Sequence, residues 1–286
     1  MKNPKSLNVL TCNLWEGRRL SDLLDWLFQN AKKFDVICFQ EVYRFDSPKL
    51  YDPRVFTVGR PGGPVANLFQ RLEHQLPSFD GLFAPARQGF FDGVYYPKSY
   101  FPVEFGNAIF VRRGLDYQDF GHEFVHGDLL PYGERLGEGI IPPRGIQMVL
   151  VEGVLVTNYH GIHKANTLKH DIPERIEQAE RYVEILSKHR QHPLVCVGDF
   201  NLRPENLSFL HIQEELGLLD IVSITGVTST RVKGLYRNYD LPGNTLMADY
   251  VLTEKGRTIR PTELKVWDEV LVSDHMPVSC QIELNA

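Results

Sequence analysis

The stretch "VCVGDFNLRPEN" (195–206) runs from an apolar segment straight into Gly198, Asp199 and Asn201. Residues two apart on an extended chain point to the same side, so this carboxylate and this amide would face one target together. Taken alone the segment also suits a turn, where Gly, Asp and Asn are common. Its company elsewhere in the chain bears on the choice. Asn13 follows "LNVLTC", Glu41 follows "DVICFQ", His160 follows "VLVTNY", Asp249 begins "DYVLT", and Asp274 and His275 stand just before "MPVSC". If these apolar runs are strands sharing sheets, their ends share an edge and the polar groups converge there. Carboxylates, histidines and amides gathered in that way suit a hard divalent cation and a phosphate ester, because oxygen ligands favour Mg²⁺ or Mn²⁺. Magnesium commonly uses one or two carboxylates and keeps waters, leaving other acids to transfer protons or to hold a histidine.

The elements that must position these groups are legible from periodicity. "LNVLTCNLW" (7–15) and "FDVICFQEV" (34–42) are strand-like, and between them Leu20, Leu23, Leu24, Leu27, Phe28 and Ala31 recur at helical intervals, with Ser21 or Asp22 as the cap. This is a β-α-β unit. A second helical pattern spans 64–77, followed by strand-like runs at 81–85, 107–113, 146–153 and 154–160, the last two joined by a tight Glu152-Gly153 turn. A further amphipathic helix covers 173–189 with Pro173 in its first turn, and a shorter one 205–216. Strand signals return at 248–253, 262–267 and 277–284. With no linker-like run or short repeat, residues 1–286 read as one domain of two packed sheets flanked by helices.

The chain has 286 residues and a formal net charge of -5, which argues against a broad basic surface for duplex nucleic acid. Its four cysteines are far apart inside apolar runs, so they read as reduced core residues rather than a zinc site or a disulfide framework. The N-terminal apolar run is too short for a signal peptide and no stretch approaches a membrane span, so a cytoplasmic enzyme is expected. Nothing in the sequence signals an obligate protein partner.

Seven segments in order, "TCNLWEG", "DVICFQEV", "GNAIFVRR", "TNYHGIH", "VGDFNLRP", "ADYVL" and "SDHMPV", span nearly the whole chain. On them the sequence resembles the endonuclease/exonuclease/phosphatase superfamily, which includes DNase I, apurinic endonucleases, sphingomyelinases, inositol polyphosphate phosphatases and deadenylases. The resemblance implies an α+β fold, a four-layer α/β sandwich of two mixed β-sheets face to face with helices outside. It also implies hydrolysis of a phosphoester, most often a diester, with one or two Mg²⁺ ions for which Mn²⁺ can substitute. Glu41 matches the principal metal ligand, Asn13 its neighbour in the metal shell, and Asp274 a second ligand or brace. Asp199 matches the residue that orients or deprotonates the attacking water, and Asn201 the amide donor to the phosphate. His275 matches the histidine beside the scissile phosphate, Asp249 the carboxylate that favours its imidazolium form, and His160 a phosphate-binding histidine.

Other residues have two readings each. Glu104 orients His160 or is an exposed loop residue, and Arg175 suits a salt bridge on a helix surface. Arg87, Lys98, Arg144 and Lys164 are phosphate contacts or solvated surface, and "RNYDLPGNT" (237–245) is a substrate loop or a plain turn. The aromatic segment 83–105 suits packing, base stacking or lipid contact. A small molecule, a lipid headgroup and single-stranded nucleic acid all stay open as substrates. The rival from another class is a non-catalytic binding module that keeps the fold.

Overall fold

The computed structural model describes residues 5–45, 62–92, 100–131, 140–164, 167–255 and 259–284. Its strands are β1 (Lys5–Asn13), β2 (Val36–Phe45), β3 (Phe79–Asp92), β4 (Tyr100–Arg112), β5 (Tyr117–His126), β6 (Arg144–Val151), β7 (Val154–His160), β8 (Leu194–Asp199), β9 (Leu218–Asp220), β10 (Asp249–Glu254), β11 (Ile259–Val266) and β12 (Val278–Leu284). The helices are α1 (Leu20–Asn30), α2 (Leu68–Gln75), α3 (Pro173–Ser187), α4 (Leu207–Leu216) and α5 (Ile221–Ile224). Among the described residues the strands form two six-stranded sheets, ordered β11-β12-β1-β2-β4-β3 and β5-β6-β7-β8-β10-β9. The pairs β1–β2 and β7–β8 are parallel, and each is joined through a crossover helix, α1 or α3. Their other pairings are antiparallel, so both sheets are mixed, as the resemblance implies.

Strand alternation builds two cores. Leu7, Val9, Val36 and Cys38 join sheet-two residues such as Val149, Leu155 and Val197 between the sheets. Their neighbours Leu10, Cys12, Ile37 and Phe39 face the other way, against Leu23 and Leu27 of α1 and Leu68 and Leu72 of α2. The same alternation puts Thr11, Asn13 and Gln40 on the inter-sheet face, where apolar packing gives way to a polar layer. Gln40 donates to Thr11 Oγ1 (3.0 Å) and Asn158 Oδ1 (2.7 Å), and Asn158 Nδ2 donates to the carbonyls of Phe39 and Ala108 (3.0 Å each). These hydrogen bonds across the gap fix one relative placement of the sheets directly beneath the strand ends.

Several expectations are corrected. Neither Ser21 nor Asp22 caps α1; the helix starts at Leu20, Arg19 occupies the cap position, and Asp22 pairs with Arg19 at 2.8 Å. Phe28, counted in the apolar stripe, is 82% exposed. Helix α2 begins at Leu68 rather than near 64, because Val65 donates its N–H to the carbonyl of Glu16 and is held in a turn. The runs at 81–85 and 107–112 are parts of two much longer antiparallel strands, β3 and β4, and Arg113 falls just past the end of β4. Strand β5 gave no signal because it lies at a sheet edge, mostly half-buried, with polar and apolar residues out of strict alternation. Arg175 is not a surface residue. It is buried and donates to the carbonyls of Ile162 (3.3 Å) and His170 and to Thr167 Oγ1 (3.1 Å), so it stitches the loop after β7 onto α3. The Glu152-Gly153 turn and the Pro173 helix start are observed. Among the described residues no helix is long and apolar enough to cross a membrane.

Candidate active site

Pairing register sets the first row of the site. Asp199 at the end of β8 stands opposite His160 on β7 and opposite Asp249 on β10, so three ionisable side chains align across adjacent strands. Close backbone approach is required here. A Cβ on Gly198 (φ 140°) would lie 2.0 Å from the carbonyl oxygen of Tyr159, and one on Gly161 would lie 2.0 Å from that of Phe200.

The other sheet supplies the opposing wall. Asn13, at the end of β1, donates from Nδ2 to Asp199 Oδ2 at 3.0 Å across the gap, while its Oδ1 accepts the Trp15 N–H at 2.9 Å. Glu41 sits where the β2–β4 register shifts between Phe39 and Val42, with a left-handed φ of 57°. A bulge of this kind re-aims one side chain out of the strand alternation, and the strained backbone is held by the surrounding ladder.

Asp199 Oδ1 accepts the backbone N–H of Asn201 at 3.0 Å, and Asn201, at φ 53°, donates Nδ2 to the Gly161 carbonyl at 3.3 Å. His160 Nε2 lies 3.8 Å from Glu41 Oε1 and 4.0 Å from Asp199 Oδ2. His275 Nδ1 is 2.8 Å from Asp249 Oδ2, which also accepts from Thr230 Oγ1 at 2.7 Å, while His275 Nε2 is 3.5 Å from Asp199 Oδ2. Among the described residues His160 Nε2, Asn201 Oδ1 and Arg231 Nε are buried with no hydrogen-bond partner. Glu41, Asp199, Asn201, Asp274 and His275 line one cleft of about 430 Å³. Asn13 and Asp249 brace it from behind. His160 lines a smaller cavity with Asn107, His122 and Arg144.

Burial and the carboxylates of Glu16, Asp274 and Asp199 push Glu41 up to about 7, against the lowering effect of its hydrogen bond from Asn13. Such an excess of negative charge around one largely buried carboxylate at the cleft fits a divalent cation, which would restore the charge balance. Asp199, Asp249 and His275 also bring ligand atoms within 4.8 Å of one another. That trio fits a cation less well, because Asp249 is committed to His275 and Thr230, and Asp199 to Asn13 and Asn201. Burial pushes Asp249 up to about 6 despite Arg231, Thr230 and Lys169. Burial and Arg231 push His275 down to about 3, outweighing the raising effect of Asp199 and Asp274. Burial, then Arg144, His275, His163 and Arg231, hold His160 well below the usual histidine range.

Three contributors were missed in the sequence. Arg231 is buried, with NH1 beside His275 Nε2 and 3.4 Å from Asp274 Oδ2. Glu16 lines the cleft from a run of left-handed residues, Trp15, Glu16 and Gly17. Lys169 is buried, donates to the Met247 carbonyl at 3.0 Å, and is pushed down to about 7 by burial and Arg231. "WEG" belongs to the motif "TCNLWEG", but "TSTRV" and "TLKH" carry no periodicity that would mark Arg231 or Lys169.

Of the ambiguous residues, Glu104 is buried on β4 and receives Arg44 and Gln88, so it neither orients His160 nor lies exposed in a loop. Lys164 pairs with Glu174 at 2.9 Å. Arg87 stacks on Phe105 at 4.2 Å, and buried Arg144 donates to the Gly161 carbonyl at 3.1 Å. Arg237 and Asn238 line the cleft, whereas Leu241 and Asn244 close a turn, so segment 237–245 does both. Within 83–105, Phe83 and Phe105 pack against Phe69 and Tyr43. Lys98, Tyr95 and Tyr96 lie outside the described residues.

Residues 6–275 match the model of the Endonuclease/Exonuclease/phosphatase family. Among solved structures, a family protein from Bacteroides thetaiotaomicron is similar at 18% identity and TM-score 0.64, covering 99% of this chain and 100% of that one. The mannosyl-6-phosphatase Bt3783 of the same organism is similar at 16% identity and TM-score 0.62, covering 96% and 99%. D. rerio TDP2 complexed with single-strand DNA product is similar at 15% identity and TM-score 0.59, covering 98% and 99%. These structural likenesses show a shared fold. No curated protein matches the chain in sequence.

Proposed function

The chain belongs to the endonuclease/exonuclease/phosphatase family, and on that premise we propose that it is a metal-dependent hydrolase of a phosphoester, most readily a phosphodiester, acting by in-line attack of water on phosphorus. The observation that carries this reading is the meeting, at one end of the two sheets, of a carboxylate cluster with buried groups whose hydrogen-bonding capacity is unspent: His160 Nε2, Asn201 Oδ1 and Arg231 Nε. Buried polar atoms left so in a folded chain point to a ligand that completes them.

Glu41 and Asp274 would hold the cation, Mg²⁺ with Mn²⁺ as substitute, one or two ions, and Asn13, whose amide is spent on Asp199 and Trp15, would support that shell from behind. When bound it supplies positive charge for the phosphoryl and departing oxygens. Asp199 is held by Asn13 and by the Asn201 N–H, so its carboxylate is fixed to orient the attacking water and draw off its proton. Asn201 keeps a second amide N–H for a phosphoryl oxygen. Asp249 holds Nδ1 of His275, which turns Nε2 toward the cleft, where it accepts from Arg231 NH1 and steadies that guanidinium beside the phosphoryl group. His160 completes the cradle from the neighbouring strand.

The substrate class follows from the cleft rather than from the neighbours, which include both a phosphatase and a protein holding single-stranded DNA product. A cleft of about 430 Å³ suits a small phosphoester, a lipid headgroup or the end of a single strand. A panel of aryl phosphate diesters and monoesters, single-stranded and abasic oligonucleotides, lipid headgroups and inositol phosphates, assayed with Mg²⁺, Mn²⁺ or EDTA, tests the proposal. Metal-dependent turnover that drops by about 10²–10³-fold or more in Asp199→Asn is expected. A folded, metal-binding protein that turns over nothing in the panel would point to the non-catalytic module instead.

A further inference from the structure

Arg231 is delivered to the cleft by backbone, not by chance packing. Residues 230–232 lie against 274–276 as a short antiparallel strap: Arg231 bridges His275, the Val232 N–H donates to the Asp274 carbonyl at 2.9 Å, and the Met276 N–H donates to that of Thr230 at 2.8 Å. Thr230, one residue earlier, bonds Asp249. The guanidinium therefore has one address. Its NH1 faces Asp274 Oδ2 at 3.4 Å and His275 Nε2, its NH2 lies 3.9 Å from Asp199 Oδ2, and its face rests 4.5 Å from the centre of the Tyr236 ring. Nε is buried and partnerless. A guanidinium has five N–H donors in a planar fork that matches phosphate oxygens, and this one has donors to spare.

Asp199, Asp249 and His275, whose ligand atoms lie within 4.8 Å of one another, mark the place a second divalent ion would take beside the one at Glu41. Here a permanent positive charge already stands among them. We propose that Arg231 takes the place of a second metal ion: the cleft binds one exchangeable divalent cation, at Glu41, and Arg231 is the fixed cation that grips a phosphoryl oxygen on the other side. The proposal rests on the metal-dependent reading above and assigns the mechanism one metal instead of two.

Stoichiometry tests it without turnover. Mn²⁺ binding to the full chain, followed by the EPR signal of the free ion, is expected to give one site in the wild type and two in Arg231→Met, where the carboxylates lose their resident cation. Inorganic phosphate binding to the Mn²⁺-loaded protein is expected to weaken at least tenfold in Arg231→Met and to recover in part in Arg231→Lys, which restores charge without the fork. Two sites in the wild type, one site in Arg231→Met, or unchanged phosphate affinity would each overturn the proposal. Retention of the Glu41 site in Arg231→Met shows that the variant has folded. Loss of that site in Glu41→Gln, with Arg231 intact, checks the underlying metal reading separately.

Discussion

A single backbone dihedral decides what Glu41 can do. In regular strand geometry it would alternate with Gln40 into the packed layers; the bulge and the φ of 57° turn it into the cleft instead. There Glu16, Asp274 and Asp199 face it and, with burial, push its carboxyl up to about 7. A carboxylic acid raised in this way stays protonated until the pH passes that value, and a proton competes with a cation for the same oxygens. The apparent Mg²⁺ association constant should therefore fall about tenfold per pH unit below about 7 and level off above it. Titration calorimetry at pH 5.5, 6.5 and 8 checks this; a flat affinity across the range would place the cation elsewhere. Asp199, by contrast, needs no bulge. Its register on β8 and two hydrogen bonds set its direction.

At the scale of elements, the site is a consequence of how β7, β8 and β10 pair. His160, Asp199 and Asp249 are neighbours because the parallel and antiparallel registers coincide at the strand ends, and Gly198 lets β7 come close enough for that. A side chain there would strike the Tyr159 carbonyl. Gly198→Ala should cost about 3 kcal/mol or more in denaturant unfolding and lower turnover along with it, because Asp199 is the next residue. Unaltered stability would mean the strands do not meet as closely as described. This row was legible in the sequence: hydrophobic runs that stop at His160 and Asp199 announce strand ends, and strand ends in one sheet share an edge, whereas Glu41 is not a strand end, because β2 continues through its bulge to Phe45. The Arg231 strap was not legible. It is held by an isolated bridge and two backbone hydrogen bonds over a few residues, too short to leave a period, and its partners lie about forty residues away in the chain. Arg175 misled for a related reason, since a basic residue on an amphipathic helix looks like a surface ion pair until the loop that wraps it is in place.

For the molecule as a whole, the two sheets meet over an apolar core that changes to a polar layer, Thr11, Gln40, Asn107 and Asn158, and then to the carboxylates of the cleft. The gradient explains why the fold tolerates so much like charge at one end: the cost falls where packing elsewhere is complete and a cation can offset it. Binding that favours the folded chain raises its stability, by about 2.7 kcal/mol at a hundredfold excess of ligand over Kd. Mg²⁺ at that excess should raise the melting temperature by about 5 °C, EDTA should reverse the rise, and Glu41→Gln should abolish it. The most direct measurement is hydrolysis of an aryl phosphodiester in ¹⁸O-labelled water by the wild type and Asp199→Asn, with Mg²⁺ and with EDTA. One ¹⁸O atom in the phosphate-bearing product, in a reaction that needs the metal and is lost with Asp199, is the expected result. Label in the released alcohol, or hydrolysis that persists without the metal or without Asp199, would contradict water attack on phosphorus at this site.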